Sequence, residues 1–147
     1  MVESYPGHGA GLRNVGSYQV SGHPFLTGCA DMGAVDKEFK VKFPFVTKSI
    51  TVAASGSSKI RVHFNSVADS EDVLDGGHFI SLSSSANPDH SEGATGGIQQ
   101  FTFDVRCREI YITNITANAQ WELYASLTNI HTGSMYKLTG SGLTDGV

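Results

Sequence analysis

Between Ile98 and Ile130 the chain alternates apolar and polar residues three times over. Phe101, Phe103 and Val105 form one run, Ile110 and Ile112 a second, and Trp121, Leu123, Ala125 and Leu127 a third. A strand points successive side chains to opposite faces, so each run makes one apolar and one polar face. Joined by short turns, the three predict a β-meander with a common buried side. Trp121 is in phase with Leu123 and Leu127, which places its ring in the core.

The same period recurs upstream. Phe39, Val41 and Phe43 face one way while Glu38, Lys40 and Lys42 face the other, and Pro44 ends the run because proline has no N–H for a central ladder. Val46, Ile50 and Val52 follow. After the turn Ser55–Gly56–Ser57–Ser58, Ile60, Val62 and Phe64 point inward, with Arg61 and His63 outward. Val46–Ala54 and Lys59–Asn65 therefore predict a hairpin. His78–Ser83, with Ile80 and Leu82, reads as a further strand. About seven short strands, no helical period and regular turn signals predict an all-β fold, a single antiparallel β-sandwich. A jelly-roll or an immunoglobulin-like order both fit, although the Cys–Trp–Cys spacing of immunoglobulin domains is absent.

The strand pattern covers residues 37–131 as one domain. Outside it lie two glycine-punctuated extended arms, 1–36 and 132–147, which hold many of the chain's 17 glycines. Gln19–Val20–Ser21 is the one place in the first arm where a brief edge pairing is expected. The arms are not featureless. Tyr5, Tyr18, Val20, Phe25 and Leu26 punctuate the first, and Met135, Tyr136, Leu138 and Leu143 the second. Disordered tails are poor in such residues, so the first arm is expected to lie extended against its own sandwich or a neighbouring subunit, and these nine are candidate anchors in an assembly interface. Arms that anchor on neighbours strengthen an assembly by linking several weak contacts.

Chemistry is harder to find. The formal charge of −4 argues against a general nucleic-acid binder, which carries a basic face. No apolar run approaches the ~18 residues of a membrane span, and the first residues lack the pattern of a secretory signal, so assembly in a cytoplasm is expected. Cys29 and Cys107 form no CxxC and read as small buried or half-buried thiols. The acidic stretch with Asp69, Glu71, Asp72 and Asp75 does not match an EF-hand and reads as a solvated loop more readily than a calcium site. His8, His23, His63, His78, His90 and His131 show neither HxH nor HExxH spacing; His63 and His78 are near enough in the strand pattern to approach each other, without a readable third ligand. Gly7–His8–Gly9–Ala10–Gly11 lacks the strand and helix that a phosphate-binding loop needs. There is no GxSxG. Asn114–Ile115–Thr116 is a glycosylation sequon in form only. No catalytic residue, metal ligand or cofactor is expected, and an enzyme is not the reading. Trp121, Tyr111, Tyr124 and Tyr136 are aromatics that a carbohydrate-binding module stacks on sugars, but the phase of Trp121 speaks against that platform.

The segments NVGSYQVSGHPFLTG (14–28), FPFVTKSITV (43–52), IRVHFNS (60–66) and LTNIHTGSMYKLTGSGLTDGV (127–147) resemble small virion structural proteins of tailed bacteriophages, those of marine and cyanobacterial phages in particular. The resemblance spans about Asn14 to Asp145 and is densest in the arms. It implies a capsid decoration or cement protein on the capsid exterior, with the major capsid protein as partner and a homo-oligomer, a trimer favoured. It implies no contact with nucleic acid or membrane. A tail, neck or fibre-associated virion protein is the alternative it leaves open. It carries over no residue-level site.

Overall fold

A computed structural model describes residues 11–13, 15–19, 22–68, 72–75, 77–84 and 99–135. Its strands are β1 (His23–Cys29), β2 (Glu38–Lys42), β3 (Phe45–Ser55), β4 (Lys59–His63), β5 (Ile80–Ser83), β6 (Gln100–Phe103), β7 (Glu109–Asn114) and β8 (Gln120–His131). Two single helical turns, α1 (Gly16–Gln19) and α2 (Asp72–Asp75), and a 3-10 turn at Thr132–Ser134 complete the described elements. The strands form two four-stranded antiparallel sheets, β1-β8-β3-β6 and β2-β7-β4-β5. Of the two orders that fit the sequence, this is the jelly roll.

The topology corrects two expectations. The three runs of the central stretch are not a meander: β6 and β8 lie in the first sheet, on either side of β3, and β7 lies in the second. Nor do β3 and β4 form a hairpin, since they belong to opposite sheets. Alternation fixes which side of a strand meets the core, but not which sheet carries the strand. A short turn can bridge the sandwich edge as well as close a ladder. Here Gly56 and Ser57 both adopt positive φ, 61° and 55°, and carry the chain across. Buried Ser58 then ties the corner together. Its Oγ accepts from the Gln120 N–H at 2.7 Å, and its N–H donates to Ser84 Oγ at 3.1 Å.

The sandwich also begins earlier than expected. β1, inside the stretch read as an arm, pairs along its whole length with β8, from His23 opposite Leu127 to Cys29 opposite Trp121. It is an edge strand, where Pro24 is tolerated. A side chain at Gly28 would put its Cβ 2.9 Å from the Trp121 carbonyl oxygen, so glycine is what the close approach requires. Of the segment Gln19–Val20–Ser21, where a pairing is expected, only Gln19 is described, and it ends α1; Val20 and Ser21 lie outside the described residues.

Between the sheets lies one core. β3 and β8 contribute Val46, Ile50, Val52, Leu123, Ala125 and Leu127, and the second sheet contributes Val41, Ile60, Val62, Leu82, Ile110 and Ile112. Trp121 is 1% exposed, with Phe39 edge-on at 5.2 Å. Its buried Nε1–H has no hydrogen-bond partner among the described residues, so volume is what this indole contributes. β7 departs from the alternation in that all six residues are buried. Its outward side chains are held under neighbours on the same sheet: His63 stacks on Tyr111 and bonds to Thr113, and Lys40 pairs with Glu109 and lies over the Tyr111 ring. The outer face is further tied to residues that follow β4 and precede β5. Ser66 Oγ and the Val67 N–H donate to Glu38 at 2.6 and 2.8 Å, and Arg61 lies 4.6 Å from the Phe79 ring centroid.

One side chain pins the first crossover. Asn114, 0% exposed, donates through Nδ2 to Ala34 O at 2.7 Å and Thr116 O at 3.0 Å, and accepts from the Lys37 N–H at 2.7 Å. Its backbone N–H donates to Lys37 O and its carbonyl accepts from Asp36 N–H. Asp36 holds φ 61° at this bend.

Asn114→Ala leaves three part-buried hydrogen bonds unmade, so it is expected to cost about 1–3 kcal/mol. Trp121→Ala leaves a large cavity and should cost about 3–5 kcal/mol. Urea denaturation of both variants checks this; an unchanged midpoint for either would remove the role assigned to that residue.

Candidate functional site

The residue types that most suggest chemistry lie on the outer side of β7 and its neighbours, and their bonds are internal. His63 keeps the outward direction expected from the alternation, but it is buried rather than solvent-facing. Its Nδ1–H donates to Asn65 O at 2.7 Å, which leaves Nε2 to accept from Thr113 Oγ1 at 2.8 Å in the neutral tautomer this network requires. The ring stacks on Tyr111, with centroids 5.9 Å apart. Burial pushes the His63 pKa down, against the opposing pull of the Asn65 carbonyl and Glu38. Glu109 accepts from Tyr111 Oη at 3.0 Å and pairs with Lys40 Nζ at 2.9 Å. Burial alone would raise its pKa, but the hydrogen bonds from Lys40 and Tyr111 and the charges of Lys40 and Arg108 outweigh that and lower it. Among the described residues this layer is bonded within the fold.

The other polar candidates are similarly placed. No three His, Cys, Asp or Glu side chains gather in metal-binding geometry among the described residues. Asp69 and Glu71 lie outside those residues, and the acidic-loop calcium reading with them. No described helix is long and apolar enough to cross a membrane. The sequon asparagine is the buried clasp described above, closed to a glycan. Cys29 and Cys107 are both free thiols, the first half-buried and the second buried. Burial pushes the Cys107 thiol up to about 11.

Four of the nine interface candidates are described. Tyr18 packs against the core and donates from Oη to Leu12 O at 2.9 Å. Phe25 is half-buried and meets Phe43 edge-on at 5.3 Å. Met135 is 3% exposed, within the core cluster. All three pack against the sandwich, Tyr18 and Phe25 half-buried and Met135 buried, because the body extends further toward both ends than alternation alone reveals. Leu26, 76% exposed, is open to a partner. Tyr5, Val20, Tyr136, Leu138 and Leu143 lie outside the described residues. Of the four aromatics weighed as a sugar platform, Trp121 and Tyr111 are buried and Tyr136 is not described. Tyr124 is 44% exposed.

Leu26 and Tyr124 are neighbours on the outer face of the first sheet, where the register places Leu26, Tyr124, Thr51 and Thr102 in one row and Gly28, Glu122, Ala53 and Gln100 in the next. All of these but Thr102 line an open trough of about 490 Å³. Thr51 and Thr102 hydroxyls bond to each other at 2.9 Å. Glu122 has neither a hydrogen-bond nor an ion-pair partner among the described residues. Sequence reasoning singled out Leu26 and Tyr124 separately. Only the β1–β8 pairing, hidden by Pro24 and Gly28, brings them together.

Comparison with known proteins returned no matching family model, no matching curated protein and no matching solved structure.

The buried layer makes stability pH-dependent. The unfolded chain binds a proton at His63 as pH falls through the ordinary histidine value, while the folded chain resists it. The stability tied to neutral His63 is therefore fully present above that value and is lost as pH falls. The lowered Glu109 acts in the same direction below the ordinary carboxylate range. Denaturation midpoints measured from about pH 8 to pH 5 should fall, and more steeply than in His63→Gln, whose profile should be flatter. Separately, a thiol reagent applied to the native protein at neutral pH should label Cys29 well before Cys107, and both together only after unfolding. Equal rates on the two cysteines would contradict the burial assigned to Cys107.

Proposed function

We propose that this chain is a non-enzymatic virion structural protein, a decoration or cement protein on the capsid exterior of a tailed bacteriophage. It binds the major capsid protein through the glycine-rich segments that flank its sandwich and acts as a homo-oligomer, a trimer favoured. The resemblance of residues 14–28, 43–52, 60–66 and 127–147 to small phage virion proteins motivates the reading.

The supporting observation is the use to which the body puts its polar residues. His63, Glu109, Tyr111, Thr113 and Asn114 are each bonded within the fold, as befits a rigid platform rather than a reaction site. Jelly rolls serve viral capsid and lectin domains among others, and fold alone does not assign function, so the topology is an analogy that agrees with the reading. Val35 and Phe39, exposed beside the crossover that Asn114 holds, are apolar positions on the body that a capsid subunit would cover. Several weak contacts on one rigid body reach high effective concentration together.

The test has to leave β1 intact, because deletion through Asp31 would remove a strand of the first sheet. Variants lacking residues 1–10 or 136–147 keep every described element. Added to phage heads stripped of decoration, the intact chain should bind and protect them from heat, and the truncated chains should fold but bind at least about tenfold more weakly. Truncated chains that decorate as well as the intact one would sink the role given to the flanks. An intact chain that never binds heads would sink the capsid reading itself and favour a tail, neck or fibre location.

A further inference from the structure

We propose that the trough on the outer face of the first sheet is a binding site for a neutral saccharide chain. The inference rests on that surface alone and is independent of the virion reading.

The trough is built by the register. Tyr124 and Glu122 lie on the same face of β8, about 7 Å apart along the strand. Leu26 stands beside Tyr124 on one side, and Gly28 and Ala53 flank Glu122 on both. Gly28 stays small because its Cβ would collide with the Trp121 carbonyl, so the floor beside Glu122 is kept low by a backbone contact, not by chance of composition. Gln100, on the far edge strand, closes the row with an amide. The result is an exposed phenol ring on a rigid strand, a carboxylate without a partner among the described residues, and an amide, all facing one open trough.

Each part matches one feature of a sugar ring. The C–H face of a pyranose covers an aromatic side chain, and the tyrosine ring supplies such a surface with a polar tip. A carboxylate accepts from two adjacent hydroxyls at once, and an amide both donates and accepts. An open trough, unlike an enclosed pocket, admits the middle of a chain. Other occupants fit less well. A purely apolar segment would desolvate the Glu122 carboxylate without a partner. A phosphate-bearing polymer would meet that carboxylate on a chain of net charge −4. A two-fold contact between copies centred here would bring two Glu122 carboxylates together.

The test uses the full chain on an array of neutral oligosaccharides of glucose, galactose, mannose and N-acetylglucosamine, with titration calorimetry on any sugar that binds. Tyr124→Ala and Glu122→Gln change solvent-facing side chains, and circular dichroism and thermal melting verify that both variants remain folded. The expected result is binding of at least one neutral oligosaccharide, weakened about tenfold by Tyr124→Ala and weakened by Glu122→Gln, with Tyr124→Phe close to the parent chain. No binding on the array would overturn the proposal. So would binding that both variants leave unchanged, or capture of a lysine-rich peptide by the trough in place of any sugar.

Discussion

Asn114 connects the two sheets at the point where the chain first passes between them. Its amide holds Ala34, Lys37 and Thr116 at once, and its own backbone pairs with Asp36 and Lys37. A jelly roll needs such devices because most of its connections leave one sheet for the other. A hairpin turn is held by the ladder it closes; a corner has no ladder. Its backbone groups must find partners in side chains or remain unsatisfied. The same solution recurs at Ser58, which joins the β3–β4 corner to β8 and to Ser84, and at Thr47. There Oγ1 donates to Val105 O and accepts from the Cys107 N–H. Small polar side chains, buried and fully bonded, are what allow the apolar faces of β3, β8, β4 and β7 to close on one core.

This division of labour explains what could be read in advance. The all-β class, the buried phase of Trp121 and the inward sets on β2, β3, β4 and β8 follow from period-two alternation, a direct consequence of strand geometry. Sheet membership does not, since a strand with one apolar face fits either sheet. The meander and the β3–β4 hairpin failed for that reason. β1 stayed hidden because an edge strand tolerates Pro24 and requires Gly28, the two residue types that most strongly signal a turn. Alternation points His63 outward, where it lies, but nothing in its own strand announces that Tyr111 and Thr113 of β7 bury it. The trough was least legible of all. Leu26, Glu122, Ala53 and Gln100 come from four strands, and only their register makes them one surface.

The two sheets thus carry different loads. The outer side of β2-β7-β4-β5 is sealed by a bonded polar layer, with neutral His63 and the Lys40–Glu109 pair at its centre. The outer side of β1-β8-β3-β6 presents an aromatic ring and, among the described residues, a carboxylate without a partner. Within the proposed virion role, the flanks and the Val35–Phe39 end meet the capsid, and the open sheet is left to face outward.

The central claim is that this jelly roll is a regular component of a phage head. A density map of the intact particle at a resolution that separates strands tests it most directly. The account predicts eight-stranded bodies on the outside of the capsid lattice, repeated with its symmetry, with the outer face of β1-β8-β3-β6 open to solvent. A particle whose lattice carries no such body, or carries it only at the tail, would contradict the account.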